Sequence, residues 1–306
     1  MLSLKIMKRL PPWAKKTLGR PADIHGMKAV LRKRNLHTVC ESARCPNIGE
    51  CFSKPTATFM ILGDVCTRRC GFCSVNKSAP ALDVDPHEPQ NIALTAKELG
   101  LRHVVVTSVT RDDLADGGAG QFALTIKAIK DTISAILVEV LTPDYTGLRL
   151  KTVLDAGPDI FNHNLETVPS LYKIVRPQAD YLRSLDVLSS AKASGVEPPQ
   201  GVEPRHGVLT KSGIMVGLGE TRDEVKAVLR DLYATGCDAV TIGQYLQPTR
   251  KHLEVKEYVE PDVFKEYEAY GLSIGIKHVY SGTFVRSSYN AESLFSGKSG
   301  NDPEKV

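Results

Sequence analysis

Long apolar runs, a strong charge of one sign and dispersed cysteines are all missing from this sequence. No stretch approaches the roughly 18 consecutive apolar residues of a membrane span, so we expect no transmembrane segment. The net charge of +4 over 306 residues is too small to indicate a nucleic-acid partner. The first 21 residues are basic and free of acids, but they lack the apolar core of a signal peptide. We therefore expect an exposed basic arm and a cytoplasmic protein, with an organellar location as the alternative if a longer precursor exists.

Cysteine is scarce as well, because the chain has only seven, and six of these lie between positions 40 and 73. That number is too small for a disulfide scaffold, and stapling disulfides would be spread more widely. Clustered thiols in a reducing compartment indicate a metal site instead. The remaining cysteine, Cys237, begins a strand-like run, and we interpret it as a buried structural thiol.

Short β-branched runs alternate with amphipathic segments through most of the chain. The pattern predicts strands over 57–63, 102–108, 135–142, 159–164, 213–219 and 238–246, and helices over 121–133, 221–236 and 261–275. Regular alternation of strand and helix is typical of a parallel sheet with crossover helices. The predicted fold class is therefore α/β: a partial or complete parallel β/α (TIM-like) barrel, with an N-terminal cysteine-bearing extension and a C-terminal extension.

We divide the chain into an N-terminal extension over 1–56, the β/α barrel over 57–280 and a C-terminal extension over 281–306. Residues 194–207, in which GVEP occurs twice, are interpreted as a surface loop, and the tail over 296–306 as disordered. In β/α barrels the chemistry lies on loops that follow the carboxyl ends of the strands. The segment CTRRCGFC follows the first predicted strand directly, which is where a reactive site is expected.

The six clustered cysteines form two groups of three, spaced C-x4-C-x5-C over 40–51 and C-x3-C-x2-C over 66–73. Structural zinc favours four ligands, usually arranged as two pairs. Three closely spaced thiolates suit a 4Fe–4S cluster, in which they ligate three irons and leave the fourth iron open or ligated from elsewhere in the chain. Two groups of three therefore predict two 4Fe–4S clusters. A mixed zinc site, or cysteines kept only for packing, are the alternatives.

The segment CTRRCGFC also resembles the CxxxCxxC signature of the radical S-adenosylmethionine enzymes, with Phe72 as the aromatic residue before the last cysteine. Further motifs, in order along the chain, resemble the lipoyl synthase family within that superfamily: TVCESARCPNIGEC, TSVTRDDLADGGAGQF, VEVLTPDYTG, FNHNLETVPSLY, TKSGIMVGLGET, TIGQYLQPTRKHLEV and SGTFVRSSYNAE. The resemblance extends from about Pro11 to Glu292. It implies that a reduced cluster cleaves S-adenosylmethionine and forms a 5′-deoxyadenosyl radical.

The resemblance also implies a role for each group of cysteines. The ligands of the cluster that cleaves S-adenosylmethionine match Cys66, Cys70 and Cys73. The ligands of a second, auxiliary cluster, which supplies sulfur, match Cys40, Cys45 and Cys51. In the family the fourth ligand of the auxiliary cluster is a serine of an RSSY motif, here residues 286–289. We assign this role to Ser287, with Ser288 as the alternative.

Other residues of the family motifs allow two interpretations each. Without the family, RSSYN would be interpreted as a polar turn or a helix cap. Arg286 is either a surface charge or a cation beside the auxiliary cluster. Asn162 and Glu166 are predicted to hydrogen-bond the ribose or the methionine part of S-adenosylmethionine, and His163 is interpreted as a structural histidine. In the family the segment TSVTRDDLADGG lines this pocket, but its acids alone would indicate a divalent-cation site or a helix start: Asp112, Asp113 and Asp116.

The resemblance implies a sulfurtransferase of lipoate biosynthesis and protein lipoylation. The expected reaction inserts two sulfur atoms into the octanoyl chain of an octanoyl-lysyl carrier protein. The implied partners are octanoylated lipoyl carrier proteins, such as the H protein and the lipoyl domains of 2-oxoacid dehydrogenases, proteins that deliver iron–sulfur clusters, and a ferredoxin or flavodoxin reductant. The rival interpretations are a different sulfur-inserting radical enzyme and a zinc-bound interaction module, and the second leaves the strand–helix repeats and RSSY unexplained.

Overall fold

The computed structural model describes residues 9–16, 19–53, 58–77, 80–194 and 208–288. Several predicted segments lie wholly or partly outside the described residues: 1–8 and 17–18 of the expected basic arm (1–21), the loop 194–207 except Ser194, Tyr289 of RSSY, and the tail 296–306. In the part of the chain that is described, no helix combines the length and the apolar character that crossing a bilayer requires.

Eight strands form one sheet in the order in which they occur along the chain. They are β1 His37–Thr38, β2 Thr58–Ile61, β3 His103–Ser108, β4 Leu137–Leu141, β5 Ile160–Asn162, β6 Leu209–Val216, β7 Ala239–Gln244 and β8 His278–Gly282. Strand β1 pairs antiparallel with β2, and every later pair, from β2–β3 to β7–β8, is parallel. Within the described residues the sheet is open between β1 and β8. The predicted α/β barrel is thus confirmed in its partial form.

Helices connect the parallel strands and cover the sheet. They are α1 Pro21–Lys33, α2 Val39–Ser42, α3 Ile48–Ser53, α4 Glu88–Glu98, α5 Ala119–Thr132, α6 Gly147–Asp155, α7 Tyr172–Val175, α8 Tyr181–Ala193, α9 Arg222–Ala234 and α10 Pro261–Ser273. Helices α4 to α10 lie in the crossovers between consecutive parallel strands. Helices α1 to α3 belong to the segment before β2, which also supplies the antiparallel edge strand β1.

Helix α9 shows why local pattern and structure agree. At its start, the Glu224 N–H donates to Thr221 Oγ1 (3.3 Å) and the Thr221 N–H donates to the Glu224 carboxylate (2.8 Å), which forms a capping box. At its end, Gly236 has a φ of +75° and its N–H donates to the carbonyl of Tyr233. The apolar positions at helical spacing are fully buried: Val225, Val228, Leu229 and Leu232. The predicted helix is confirmed, with Gly236 just beyond its end.

The six predicted strands are all present, and β1 and β8 are additional. Strand β6 starts at Leu209, four residues before the predicted strand, and the added residues Thr210, Lys211 and Ser212 are buried although they are polar, which is why the apolar pattern did not include them. Strand β8 escaped prediction because only one of its five residues, Val279, is buried. The boundaries of the three-part division remain a prediction, and β8 continues across the one placed between 280 and 281.

A buried ion pair crosses the interior of the barrel between β4 and β6. Lys211 Nζ lies 3.1 Å from Glu139 Oε1, and the two side chains are 1% and 0% exposed. Asn162 Nδ2 donates to the same Glu139 oxygen (3.0 Å), and His103 Nε2 lies 3.6 Å from Glu139 Oε2. Because a buried charge without a partner is costly, these side chains depend on one another. Through the hydrogen bond to Glu139, the ion pair fixes the side chain of Asn162, one of the predicted site residues.

We expect Lys211→Met to destabilise the protein by about 3–5 kcal/mol, since it leaves the Glu139 carboxylate buried without its cation. The free energy of unfolding from urea titration at pH 7.5 measures this. The double variant Glu139→Gln/Lys211→Met removes both charges and keeps an acceptor for Asn162, so it should recover most of the loss. A double variant that is as unstable as Lys211→Met, or less stable still, would show that the two charges do not depend on each other.

Candidate active site

A cavity of about 460 Å³ lies at the carboxyl ends of the parallel strands. It is lined by side chains that follow β2 to β7 and by parts of both extensions. The predicted site residues that line it are Cys40, Cys45, Cys66, Cys70, Cys73, Asn162, Glu166, Arg286, Ser287 and Ser288. Cys51 does not line the cavity, but it packs against the same apolar cluster as Cys45, Cys66 and Cys73. Residues from four distant parts of the sequence therefore meet in one place.

The segment that carries Cys66, Cys70 and Cys73, here called the cluster loop (66–73), is held by backbone hydrogen bonds to its surroundings. The Cys66 N–H donates to Asn76 O (2.9 Å). The Thr110 N–H points at Cys66 Sγ, at 3.4 Å. At Gly71, an added Cβ would lie 2.9 Å from the Leu253 side chain and 3.2 Å from Ile174 O, so a side chain at this position would collide with its neighbours. The loop conformation therefore needs glycine at position 71.

Two further side chains bind the carbonyl groups of the cluster loop, and neither was predicted. Lys77 Nζ donates to Cys70 O (2.7 Å) and to Cys73 O (2.6 Å). His252 donates from Nε2 to Cys73 O (3.1 Å), and its Nδ1 lies 2.8 Å from Thr249 Oγ1, which acts as the donor to it. Lys77 lies only four residues after Cys73, so a basic residue close behind the motif was an available signal. His252 is 179 residues away and offered none.

Cys40 of one group, and Cys70 and Cys73 of the other, are held in surroundings that disfavour the charged form of the thiol. Burial raises the pKa of Cys73 to about 11 and that of Cys40 to about 12. Burial also raises the pKa of Cys70, against the opposing charges of Arg176 and Lys77. Thiols with such pKa values are neutral at pH 7, so binding as thiolates requires a positively charged partner that displaces the protons. A metal cluster is a partner of this kind.

The segment with Cys40, Cys45 and Cys51 is a pair of short helices joined by a turn. The Cys45 N–H donates to Cys40 O (3.0 Å), and the Cys51 N–H donates to Asn47 O (2.9 Å). The thiols of Cys45 and Cys51 both raise the pKa of Cys40, which shows that the three interact. Asn47 Nδ2 also donates to Phe284 O (2.7 Å). This hydrogen bond joins the N-terminal extension to the segment that carries the predicted serine ligand.

That segment enters the cavity. Ser287 Oγ accepts a hydrogen bond from Asn164 Nδ2 (2.6 Å), and Ser288 also lines the cavity. Arg286 Nη1 donates to Val285 O (2.6 Å). Burial lowers the pKa of Arg286, and an interaction with Cys45 opposes this shift. Arg286 is therefore half-buried in the cavity wall near one auxiliary cysteine, although its role stays a prediction, as does the choice between Ser287 and Ser288.

Asn162 and Glu166 lie on either side of the loop that follows β5. Asn162 is fully buried at the end of β5, and Glu166 has a φ of +67°. The Glu166 carboxylate accepts a hydrogen bond from Asn164 Nδ2 (3.0 Å). Burial raises the pKa of Glu166, while the Arg176 guanidinium lowers it. The structure therefore brings both predicted residues to the cavity, together with Asn164, which was not predicted.

Several buried polar atoms in the cavity wall have no hydrogen-bond partner among the described residues. They are Ser108 Oγ, Thr142 Oγ1, Asn162 Oδ1, His163 Nε2 and Asn164 Oδ1. Buried polar atoms are normally paired, so these five suit a polar ligand that supplies the missing partners. The sequence analysis included Ser108 only as part of the segment TSVTRDDLADGG, and it did not single out Thr142. Their position at or just after the carboxyl ends of β3 and β4 was the signal that could have found them.

Only one ring nitrogen of His163, Nδ1, has a hydrogen-bond partner among the described residues. Its Nδ1 lies 3.0 Å from Thr142 O, which can only accept, so Nδ1 carries the proton and Nε2 is an acceptor facing the cavity. Burial lowers the pKa of His163 to about 4. The ring is therefore neutral at pH 7 and can accept a hydrogen bond from a ligand.

The three acids of TSVTRDDLADGG do not form a cation site. The Arg68 guanidinium pairs with Asp112 (3.1 Å), and Arg111 pairs with Asp113 (2.8 Å). The carboxylate of Asp116 accepts from the N–H groups of Gly118 and Gly120, at 2.9 and 2.8 Å, where α5 begins. Only Asp116 is thus an acid at a helix start. The first part of the motif, 107–110, lines the cavity, whereas the acids do not.

The residues present fit two iron–sulfur clusters and a polar small molecule. In the described part of the chain, no three His, Cys, Asp or Glu side chains converge on a point where one metal ion would bind. The ligands of a four-iron cluster bind different irons, so they lie farther apart than the four ligands of a zinc ion. Two groups of buried or half-buried thiols, next to unpartnered polar atoms, have the donor chemistry that such clusters and S-adenosylmethionine require.

Comparison with known proteins agrees with the family that the sequence motifs resemble. Residues 60–232 match the family model of the radical SAM superfamily, and residues 2–45 match the model of the N-terminal domain of lipoyl synthase of the radical SAM family. The lipoyl synthase of Caldanaerobacter subterraneus subsp. tengcongensis is 53% identical over 286 residues, which cover 93% of this chain and 96% of that protein. The lipoyl synthase of Oleidesulfovibrio alaskensis is 49% identical over 285 residues, covering 92% and 94%.

Among solved structures, a crystal structure of methylornithine synthase is similar, with a TM-score of 0.54 and 13% identity. The match covers 91% of this chain and 85% of that chain. At this level of identity the similarity shows the fold alone, and it agrees with the partial β/α barrel described above.

We expect His163 to make the stability of the protein fall with acid. Because its folded pKa is about 4 and its unfolded value is 6.5, its contribution is fully present above pH 6.5 and is lost as the pH falls towards 4. His163→Asn keeps an N–H donor for Thr142 O but does not titrate. Between pH 7.5 and pH 4.5, the free energy of unfolding should fall by about 2–3 kcal/mol more in the native protein than in the variant. An identical fall in both proteins would contradict the assignment.

Proposed function

The chain belongs to the lipoyl synthase family of the radical SAM superfamily, and on this premise we propose that it inserts two sulfur atoms into an octanoyl chain. The substrate is an octanoyl group in amide linkage to a lysine of a lipoyl carrier protein. The observation that carries the proposal is the meeting of both cysteine groups and Ser287 around one cavity with unpartnered polar atoms.

The family supports one 4Fe–4S cluster and S-adenosylmethionine as cofactors, and the second cluster is part of the proposal. Cys66, Cys70 and Cys73 would hold the first cluster, and the second would be held by Cys40, Cys45, Cys51 and Ser287. When bound, the first cluster supplies the electron that cleaves S-adenosylmethionine to a 5′-deoxyadenosyl radical, and the second supplies the sulfur. Radical chemistry is needed because the carbons of an alkyl chain have no accessible pKa on which an acid or base could act.

The protein's own residues hold and orient these groups. Lys77 and His252 bind the carbonyls of the cluster loop, so the positions of its thiols do not depend on the loop alone. Asn162 and Glu166 would contact S-adenosylmethionine, and His163 Nε2 would accept a hydrogen bond from one of its donors. Their position in the cavity wall, and the unpartnered Asn162 Oδ1 and His163 Nε2, support this assignment. Apolar side chains of the cavity wall, among them Met60, Val105 and Ile214, suit the alkyl chain of the substrate.

The proposal extends to partners and location. Octanoylated carrier proteins, such as the H protein and the lipoyl domains of 2-oxoacid dehydrogenases, would present the substrate. A cluster that donates its sulfur must be rebuilt, so proteins that deliver iron–sulfur clusters are implied. A ferredoxin or flavodoxin would supply electrons. These partners are consistent with a cytoplasmic enzyme.

The division of labour between the cysteine groups can be tested on anaerobically reconstituted protein, with S-adenosylmethionine, dithionite and a peptide bearing octanoyl-lysine. The native protein should form 5′-deoxyadenosine and a peptide that gains two sulfur atoms with no net change in hydrogen, as the dithiol, because the anaerobic assay contains no oxidant that would close the disulfide. Cys70→Ala should abolish 5′-deoxyadenosine, whereas Cys45→Ala should still form it without inserting sulfur. Mass spectrometry of the peptide, with chromatography of the nucleoside, measures both products.

Two results would contradict the proposal. Sulfur insertion by Cys45→Ala would show that Cys45 is not in the sulfur-donating cluster. A native protein that contains both clusters and cleaves S-adenosylmethionine, but leaves the peptide unchanged, would point to a different substrate. Cys237→Ala is a matched control for loss of a thiol, because Cys237 is buried away from the cavity.

The two neighbouring serines form their own matched pair. We expect Ser287→Ala to lower sulfur insertion by about tenfold or more, since loss of a ligand should cost at least as much as loss of a ligand's hydrogen-bond partner. Ser288→Ala should retain most of the activity, and both variants should still form 5′-deoxyadenosine. The yield of sulfur-containing peptide and the iron content measure the effect. The opposite order of the two variants would identify Ser288 as the ligand.

A further inference from the structure

The outer side of the cluster loop carries a positively charged surface that the proposed chemistry does not use. We call it the basic patch, and it consists of Arg69, Lys173, Ile174, Arg250 and Lys251. All five are exposed, and the apolar side chain of Ile174 is 61% exposed. Arg69 is part of the cluster loop itself, between Cys66 and Cys70.

Hydrogen bonds join the three segments that carry the basic patch. The Gly71 N–H donates to Val175 O (2.9 Å), and the Leu253 N–H donates to Gly71 O (3.1 Å). The Arg69 N–H donates to Gln178 Oε1 (2.7 Å). The cluster loop is therefore flanked by the segment around α7 on one side and by residues 249–253 on the other. The three segments that carry the basic patch are therefore neighbours in the fold.

The cations of the basic patch are not neutralised. Among the described residues, none of its four cations forms an ion pair, whereas Arg68 and Arg183 nearby both pair with Asp144. The neighbouring acids are occupied, because Glu254 lies 3.4 Å from Lys256 Nζ and Asp180 caps α8. Four unpaired cations around one loop give a local positive potential that attracts an acidic partner.

The basic patch and the cavity are formed by different residues of the cluster loop and its neighbours. Cys66, Cys70, Phe72 and Cys73 line the cavity, and no residue of the basic patch does. A protein that binds the basic patch would thus come close to the cysteines without entering the cavity. This arrangement suits a partner that exchanges an electron, since electron transfer requires proximity but no passage for a chain.

We propose that the basic patch docks a small acidic one-electron carrier protein. This inference rests on the proposed function, in which the carrier is oxidised by one electron and the cluster on the loop is reduced by one for each S-adenosylmethionine cleaved. The octanoylated protein suits the patch less well, because its chain must enter the cavity, and no residue of the basic patch lines that cavity. Ile174 supplies an apolar contact among the cations, as protein interfaces commonly combine the two.

The test compares two double variants that change the net charge equally. Lys173→Glu/Lys251→Glu alters the basic patch, and Lys97→Glu/Lys127→Glu alters exposed lysines on α4 and α5 that form no ion pair with another described residue. Flavodoxin serves as the acidic carrier. Its affinity for each protein is measured by fluorescence anisotropy at low and high salt. Formation of 5′-deoxyadenosine is measured separately with flavodoxin and with dithionite as the reductant.

The patch variant should bind flavodoxin about tenfold more weakly or worse, with a smaller dependence on salt, and its KM for flavodoxin should rise to match. Its rate with dithionite should stay within about twofold of the native rate, because the small reductant needs no docking surface. The control variant should behave like the native protein in every assay. Unchanged flavodoxin binding by the patch variant would overturn the proposal.

The assays also separate this inference from the proposed function. A patch variant with a raised KM for an octanoylated carrier domain, and a native KM for flavodoxin, would show that the surface serves the substrate and would overturn the proposal. If the native protein inserts no sulfur with dithionite, the proposed function is wrong. Whether or not the native protein inserts sulfur, the anisotropy measurements show whether flavodoxin binds the basic patch.

Discussion

Every group at the candidate active site depends on the parallel pairing of consecutive strands from β2 to β8. Parallel strands that are neighbours in both sequence and sheet place all their carboxyl ends at one edge. The cluster loop follows β2, Ser108 ends β3, Thr142 follows β4, and the 162–166 segment follows β5. The N-terminal extension pairs with β2 through the antiparallel strand β1, which runs towards the amino end of β2. Residues that follow β1 and residues that follow β8 complete the wall of the cavity. Without this pairing, Cys40 and Ser287 would not line the same cavity.

The interior of the barrel is polar in a way that supports the site above it. The ion pair between Glu139 and Lys211 is fully buried, and Glu139 also accepts from Asn162. Asn162 in turn leaves its Oδ1 without a partner at the cavity. The buried charges of Glu139 and Lys211 are thus paired with each other, whereas Asn162 Oδ1 is open to a ligand. The raised thiol pKa values of Cys40 and Cys73 have the same meaning, since these buried thiols would become thiolates only on binding a cationic partner such as a cluster.

The cluster loop separates two kinds of positive charge. On and beside the loop, Lys77 donates to two of its carbonyls and Arg68 pairs with Asp112 and Asp144, so these cations hold the loop in place. On its outer side, the cations of the basic patch are without acidic partners among the described residues. The first set of cations is paired with groups of the fold, and the second set remains available to another molecule. The same short segment can therefore present thiols inwards and charge outwards.

The sequence by itself determined the α/β alternation, the helix α9 with its capping box and stop, the two groups of three cysteines and the candidate residues Asn162 and Glu166. All of these depend on spacing within a few turns or strands, or on motifs read along the chain. Only the tertiary structure decided that the barrel is open, that β6 begins in the polar stretch Thr210–Ser212, that His252 binds the carbonyl of Cys73 and that Asn164 binds Ser287. The physical reason is that these features are contacts between residues far apart in sequence. Their partners are selected by strand register and barrel packing, which leave no periodic trace in the local sequence.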